Sequence, residues 1–119
     1  MVDLKVMNFE DSRVWQNSLE LTVDIYAITK SFPKDEQFGL TSQIRRASSS
    51  VGANIAEGFG RMSTKDKLHF YTMSYGSLLE TKNFLYLAHR LGYVELPIKL
   101  FEDIEIIKMQ INAIKRAIK

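Results

Sequence analysis

The stretch "LFEDIEIIKMQINAIKRAI", residues 100–118, decides the fold. Leu100, Ile104, Ile107, Ile111, Ile114 and Ile118 step by 4, 3, 4, 3, 4, while charged and amide side chains fill most positions between them. That spacing puts one apolar stripe on one side of a helix. A stripe of this period makes a left-handed, knobs-into-holes contact with a neighbouring helix. The partner must come from the rest of the chain. Pro97 suits the first turn of this helix, because its fixed φ is already helical and its missing N–H would have had no partner there.

The preceding segments have the same character. A third helix runs from a Ser63 or Thr64 cap to about Leu91, with "GY" as its stop and Asp66 near its positive end. One stripe is Leu68, Tyr71, Tyr75, Leu78 and Leu85. Another is Phe70, Phe84, Ala88 and Leu91, with small Ser74, Ser77 and Thr81 between. A helix apolar on two sides touches more than one neighbour. A second helix starts near Thr41, a capping hydroxyl, and carries Ile44, Ser48, Val51 and Ile55 inward. It ends at Gly58 or Gly60, where a left-handed residue is expected. The first helix is capped by Asp11 or Ser12 and stops before Pro33. Its stripe is Val14, Ser18, Leu21, Ile25, Ile28 and Phe32, flanked by Trp15, Leu19, Thr22 and Tyr26. "PKDEQFG", 33–39, connects the first two helices, with room for one short turn. Nothing alternates with period two. The expected fold is all-α: an antiparallel up-down-up-down four-helix bundle, one domain over residues 1–119.

Composition narrows the chemistry. With 45% hydrophobic and 25% charged residues, the chain has the balance of a globular domain. It has no cysteine, which removes disulfides, thiolate metal sites and a cysteine nucleophile. The N-terminus carries acids early and no long apolar run, so no signal peptide is expected, and no run is long enough to span a bilayer. The expected location is the cytoplasm. "GFGRMS" has Ser63 where a dinucleotide fingerprint needs its third glycine, and it follows a helix rather than a strand. His69 and His89 stand in no Glu-x-x-His or H-E-x-x-H spacing, and no serine sits in a nucleophile elbow. We therefore expect no cofactor, no metal and no enzymatic activity.

"SSSVGANIAEGFGR", 48–61, is poor in bulk. With Ile44, Val51 and Ile55 inward, a rotation of about 100° per residue puts Arg46, Ser49, Ala53 and Glu57 on the outer face. Outer positions usually carry long polar side chains. A thin strip of Ser49, Ala53 and Ala56, with mid-helix Gly52 and Gly76 in support, would let a helix of a second copy approach closely. Glu57 and Arg61 have the order of a favourable i,i+4 pair, and with Asn54 they would clasp the helix end.

The block "FGLTSQIRRASSSVGANIAEGFGRMSTKD", 38–66, followed by "GSLLE", 76–80, and "LGY", 91–93, resembles the small four-helix-bundle proteins encoded in intervening sequences of bacterial 23S ribosomal RNA genes. That family is similar to the accessory protein of diversity-generating retroelements, which works beside a reverse transcriptase. The matching positions are Arg45, Arg46, Asn54, Glu57, Gly58, Arg61, Gly76 and Glu80. One departure is Ser50-Val51-Gly52, where the family pattern has an isoleucine-proline pair. The resemblance implies a homopentamer and a nucleic-acid role, with a reverse transcriptase as a partner in the retroelement branch.

Charge distribution suggests where nucleic acid would sit. Net charge is only +2. Residues 37–67 nevertheless hold Arg45, Arg46, Arg61, Lys65 and Lys67 against Glu57 and Asp66, and after Glu105 no acid remains while Lys108, Lys115, Arg116 and Lys119 follow. In an up-down bundle, Arg61, Lys65, Lys67, Lys115, Arg116 and Lys119 would gather at one pole as a basic cap for phosphates, with Arg45 and Arg46 nearer the other. The alternative is an oligomeric scaffold that binds only protein.

Overall fold

A computed structural model of the chain describes residues 8–118. Four helices form: α1 (Arg13–Thr29), α2 (Leu40–Phe59), α3 (Thr64–Arg90) and α4 (Ile98–Ala117). Short 3-10 turns at Phe9–Asp11 and Lys34–Glu36 precede α1 and α2. Among the described residues there is no strand. Each helix packs on the next in sequence, and α4 closes the ring on α1. Contacts across every seam pair rising with falling residue numbers. Thr22 and Arg45 bridge α1 and α2 with Ser48 and Thr29. Lys67 and Ser74 of α3 reach Phe59 and Val51 of α2. Lys82 and Tyr86 of α3 meet Glu105 and Phe101 of α4. Asn17 and Asp24 of α1 meet Gln110 and Lys99 of α4. These are the registers of antiparallel neighbours.

The core is the stripe pattern made solid. Ile25, Ile44, Val51, Leu78, Leu85, Ile104, Ile107 and Ile111 are all 0% exposed. The α4 seam fades towards its end, where Ile114 and Ile118 are only partly buried. A smaller cluster of Phe32, Leu40 and Ala88, with Phe84 and Tyr93 against it, closes the pole where α1 and α3 end.

On α3 the inward face departs from expectation. It runs Tyr71, Ser74, Leu78, Thr81, Leu85, Ala88, and Tyr75 lies to one side. Ser74 and Thr81 are completely buried. Their hydroxyls donate to the carbonyls of Val51 (2.7 Å) and Ser77 (2.9 Å), which removes the penalty of burying an unpaired donor. Ser18 does the same with Val14.

The helix ends differ in part as well. Ser63 caps α3 as expected, accepting from Asp66 N at 3.1 Å. Ser12 occupies the N-cap of α1 but makes no side-chain cap, and Asp11 lies in the preceding turn. The N-cap of α2 is Gly39, not Thr41, which is buried. Glu36 reaches forward instead, and its Oε1 accepts from Leu40 N at 3.1 Å. Pro97 is the N-cap of α4, one position ahead of the first turn. Gly58 is inside α2 and Gly60 is right-handed with φ −81°, so neither is the left-handed stop. Gly92 is, with φ +80°. Tyr93 N donates to Ala88 O and Gly92 N to His89 O, the paired bonds that close a helix on a left-handed glycine.

Gly58 is needed for another reason. A Cβ there would lie 2.6 Å from Cε1 of Tyr71 and 3.2 Å from Cβ of Phe70. Gly52 likewise faces α1, 3.6 Å from Ser18 and Trp15, so it thins a seam within the chain rather than one between copies. Gly58→Ala is expected to cost about 1–3 kcal/mol by overpacking, seen as a lower urea midpoint with an unchanged m-value. Gly60→Ala, whose Cβ would meet nothing nearer than 3.7 Å, should stay within about 0.5 kcal/mol of wild type.

Candidate nucleic-acid interface

The end of α2, the start of α3, the end of α4 and the turn before α1 meet at one pole. They surround a cavity of ≈ 530 Å³ lined by Ser12, Phe59, Lys67, Tyr71, Ile114 and Ile118 among others. Burial of the Tyr71 ring pushes its hydroxyl above the usual phenol range. The expected basic cap belongs to these same helix ends, but its cations serve different ends. Lys67 Nζ donates to Gly58 O (3.2 Å) and Phe59 O (2.9 Å), placing its charge on the negative end of α2. Arg61 pairs with Glu57 at 3.1 Å and lies over the Phe70 ring at 4.5 Å. Lys115 turns along α3, 5.7 Å from the Tyr75 ring centroid. Lys65 and Arg116 are exposed. Lys119 lies outside the described residues.

Arg45 and Arg46 stand towards the opposite pole, near the start of α2. Arg45 is held in place: its Nε donates to the buried Thr29 hydroxyl at 2.8 Å, and its guanidinium covers the Tyr26 ring at 4.5 Å. Arg46 is exposed. The two groups of cations are therefore separate surfaces.

The thin strip is partly as expected. Ser49 and Ala53 are exposed and Ala56 is half-buried, with Ala53 and Ala56 lining a shallow recess beside Gly60. On α1, Trp15, Ser18, Thr22, Tyr26 and Thr29 meet α2. Leu19 and Val23, 46% and 54% exposed, are turned outward on that same side. Gly76 does not join this strip. It is two residues, or about 200° of rotation, from Ser74, which faces α2, and open space surrounds its would-be Cβ.

A family model for the 23S rRNA-intervening sequence protein matches residues 10–119. The chain belongs to this family. Among solved structures, it is similar to a protein of unknown function from the S23 ribosomal protein family of Bacteroides thetaiotaomicron VPI-5482. That match has 27% identity and a TM-score of 0.76, and it covers 86% of this chain and 97% of the other. No curated protein matches the chain.

The family-motif residues have mainly local roles. Asn54 Nδ2 donates to Ser50 O at 2.8 Å within α2, Glu57 makes the ion pair with Arg61, and Gly58 admits the Tyr71 ring. The two glycines do not break the Glu57–Arg61 geometry. Glu80 is exposed on α3. Among the described residues no group of three or more His, Cys, Asp or Glu side chains could hold a metal ion, and no helix is long and apolar enough to cross a membrane. Sequence reasoning missed the largely apolar cavity at the basic pole, because its lining comes from four separate segments. It also passed over Phe38, 90% exposed in the turn before α2. An aromatic between Gln37 and Gly39, outside every stripe, was the available signal.

Glu20 and Asp24 of α1 and Asp103 of α4 line the recess between those helices, and Glu105 faces α3 on the other flank of α4. Lys82 donates to Glu105 at 2.9 Å across the α3–α4 seam, and Lys108 adds a second cation at 3.7 Å. The Lys82 bond and then the Lys108 charge hold the Glu105 carboxyl below its usual range, while the Glu105 bond raises Lys82. What this carboxylate contributes to stability is present above the unfolded-state carboxylate pKa and is lost as pH falls through the lower folded value. Side-chain carboxyl NMR should show Glu105 titrating below the usual glutamate range, and Lys82→Met should move it upward.

Proposed function

We propose that the protein is a non-enzymatic, cytoplasmic homo-oligomer that holds RNA or DNA phosphates at the pole where α2 ends and α3 begins. The observation that carries this reading is the convergence of Arg61, Lys65, Lys67, Lys115 and Arg116 on helix ends that meet at that pole. Lys65 and Arg116 would supply the most direct contacts, since Lys67 and Arg61 already serve the end of α2. Phosphate contacts of this kind tolerate any sequence and weaken steeply with salt. Self-association is supported by Leu19 and Val23, exposed apolar side chains on the α2 side of α1, and by the small Ser49, Ala53 and Ala56 of α2, a strip bounded by the Glu57–Arg61 pair. The number five comes from the family resemblance, as does a reverse transcriptase as partner.

The double reversal Lys115→Glu with Arg116→Glu tests the pole. Against structured RNA at low salt it should weaken binding by tenfold or more and flatten the salt dependence, each lost phosphate contact removing roughly 0.7–0.9 from the log–log slope. Equal affinity with an equal slope would remove the pole as the site. No binding by wild type at low salt would favour the protein-only scaffold, for which the exposed α1–α2 strip is the specific support.

The strip has its own test. Ala53→Arg should lower the mass measured by light scattering to that of a monomer while circular dichroism stays helical. A wild-type monomer at micromolar concentration would sink self-association, and a stable assembly of another number would remove only the count of five.

A further inference from the structure

The start of α2 carries a second feature, at the end of the molecule away from the basic pole. A recess of ≈ 450 Å³ opens between α1 and α2, lined by Tyr26, Gln37, Phe38, Ser42, Arg45 and Arg46 among others, with no carboxylate among its described lining residues. Two arginines stand beside two aromatic rings.

Arg45 is preorganised. Its Nε donates to Thr29 Oγ1 at 2.8 Å, its Nη2 approaches Tyr26 O at 3.5 Å, and the Tyr26 ring lies 4.5 Å beneath it. Thr29 is itself fixed, since its hydroxyl donates to Ile25 O at 2.7 Å. A guanidinium has five donors, so the Nη1 end stays available for an anion. Arg46 adds an exposed second cation one residue on.

Phe38 supplies a platform. Its ring is 90% exposed, yet its backbone is tied down on both sides. Gln37 N donates to Lys34 O at 3.1 Å, Gly39 N to Glu36 O at 2.9 Å, and Leu40 N to the Glu36 carboxylate at 3.1 Å. The ring therefore projects from a held turn. An acidic peptide would engage the arginines and leave this ring unused. A duplex would offer phosphates but hide its base faces in the stack. A single-stranded nucleotide offers both an unstacked base and a phosphate.

We infer that this recess binds single-stranded nucleic acid, stacking a base on Phe38 and taking the adjoining phosphate on Arg45 and Arg46. The inference rests on the nucleic-acid reading proposed above and adds a strand class and a second contact surface. Gln37, with its amide, stands where it can meet a base edge.

The test compares a labelled oligouridine of about 12 nucleotides, within the range one such surface spans, with an RNA duplex of equal length. Phe38→Ala, at a site this exposed, leaves the fold intact. It should weaken oligouridine binding by about tenfold, within the contribution of one stacked base, and leave duplex binding unchanged. Arg46→Ala should lower the single-strand salt slope by about 0.7. Lys115→Glu with Arg116→Glu should weaken both polymers. If Phe38→Ala binds oligouridine as wild type does, the recess is overturned, and the pole stands or falls on its own variant. If wild type binds neither polymer, the pole reading fails, and a uridine monophosphate titration followed by amide NMR decides the recess. Shifts centred on residues 37–49 and Tyr26 would support it, and their absence would overturn it.

Discussion

The close approach of α2 and α3 is the constraint on which the rest of the bundle depends. Gly58 has no side chain because the Tyr71 ring occupies the space a Cβ would need. One turn further along, Ser74 donates to Val51 O at 2.7 Å, and both residues are 0% exposed. A side chain-to-backbone bond across a helix seam forms only when the two backbones come near each other. Lys67 ties the same pair at the pole through Gly58 O and Phe59 O. Small residues serve α2 on its other flank too, where Gly52 meets Trp15 and Ser18 of α1. With α2 gripped on both sides, Ile44, Val51 and Ile55 are directed at the bundle axis, where Ile104, Ile107 and Ile111 of α4 complete the core.

Hydroxyls are as much a part of this interior as isoleucines. Ser18, Ser48, Ser74 and Thr81 are fully buried. Each returns its hydrogen bond to a backbone carbonyl, so no buried side-chain donor or acceptor among the described residues lacks a partner. Small satisfied side chains keep the helices close, where leucines would hold them apart. Thr22 joins Ser18 O to Ser48 O across the α1–α2 seam. Thr29 extends the same logic to the surface, linking Ile25 O inside to the Arg45 guanidinium outside. The orientation of a surface cation is thus set by a buried hydroxyl.

Cations at the basic pole divide between holding the fold and facing outward. Lys67 complements the α2 dipole, Arg61 is shared between Glu57 and Phe70, and Lys115 lies along Tyr75. Lys65 and Arg116 have no such engagement in the described contacts and carry the outward charge. Counting lysines and arginines therefore overstates the outward positive charge of this pole. At the other end Arg45 is both structural and outward-facing, because a guanidinium has donors to spare where an ammonium bonded to two carbonyls has few.

Period, helix number and several stops were legible in the residues alone. The Leu100–Ile118 seam, the Ile44–Ile55 stripe, the Ser63 cap and the Gly92 stop all depend on neighbours within a turn or two, and local spacing encodes them. The inward face of α3 did not follow from polarity, because Ser74 and Thr81 read as small residues between two apolar stripes until Val51 O and Ser77 O are seen to accept from them. Gly58 and Gly60 look alike in sequence, and only the Tyr71 ring distinguishes the glycine required for packing from the one that is not. The same holds for charge: whether a lysine is consumed or available depends on carbonyls and rings that approach it in the folded chain. Local periodicity determined that four helices form and which stripe α1, α2 and α4 bury. Contacts between residues distant in sequence decided which small residues carry the packing, which cations stay outward, and where Phe38 and Arg45 stand together.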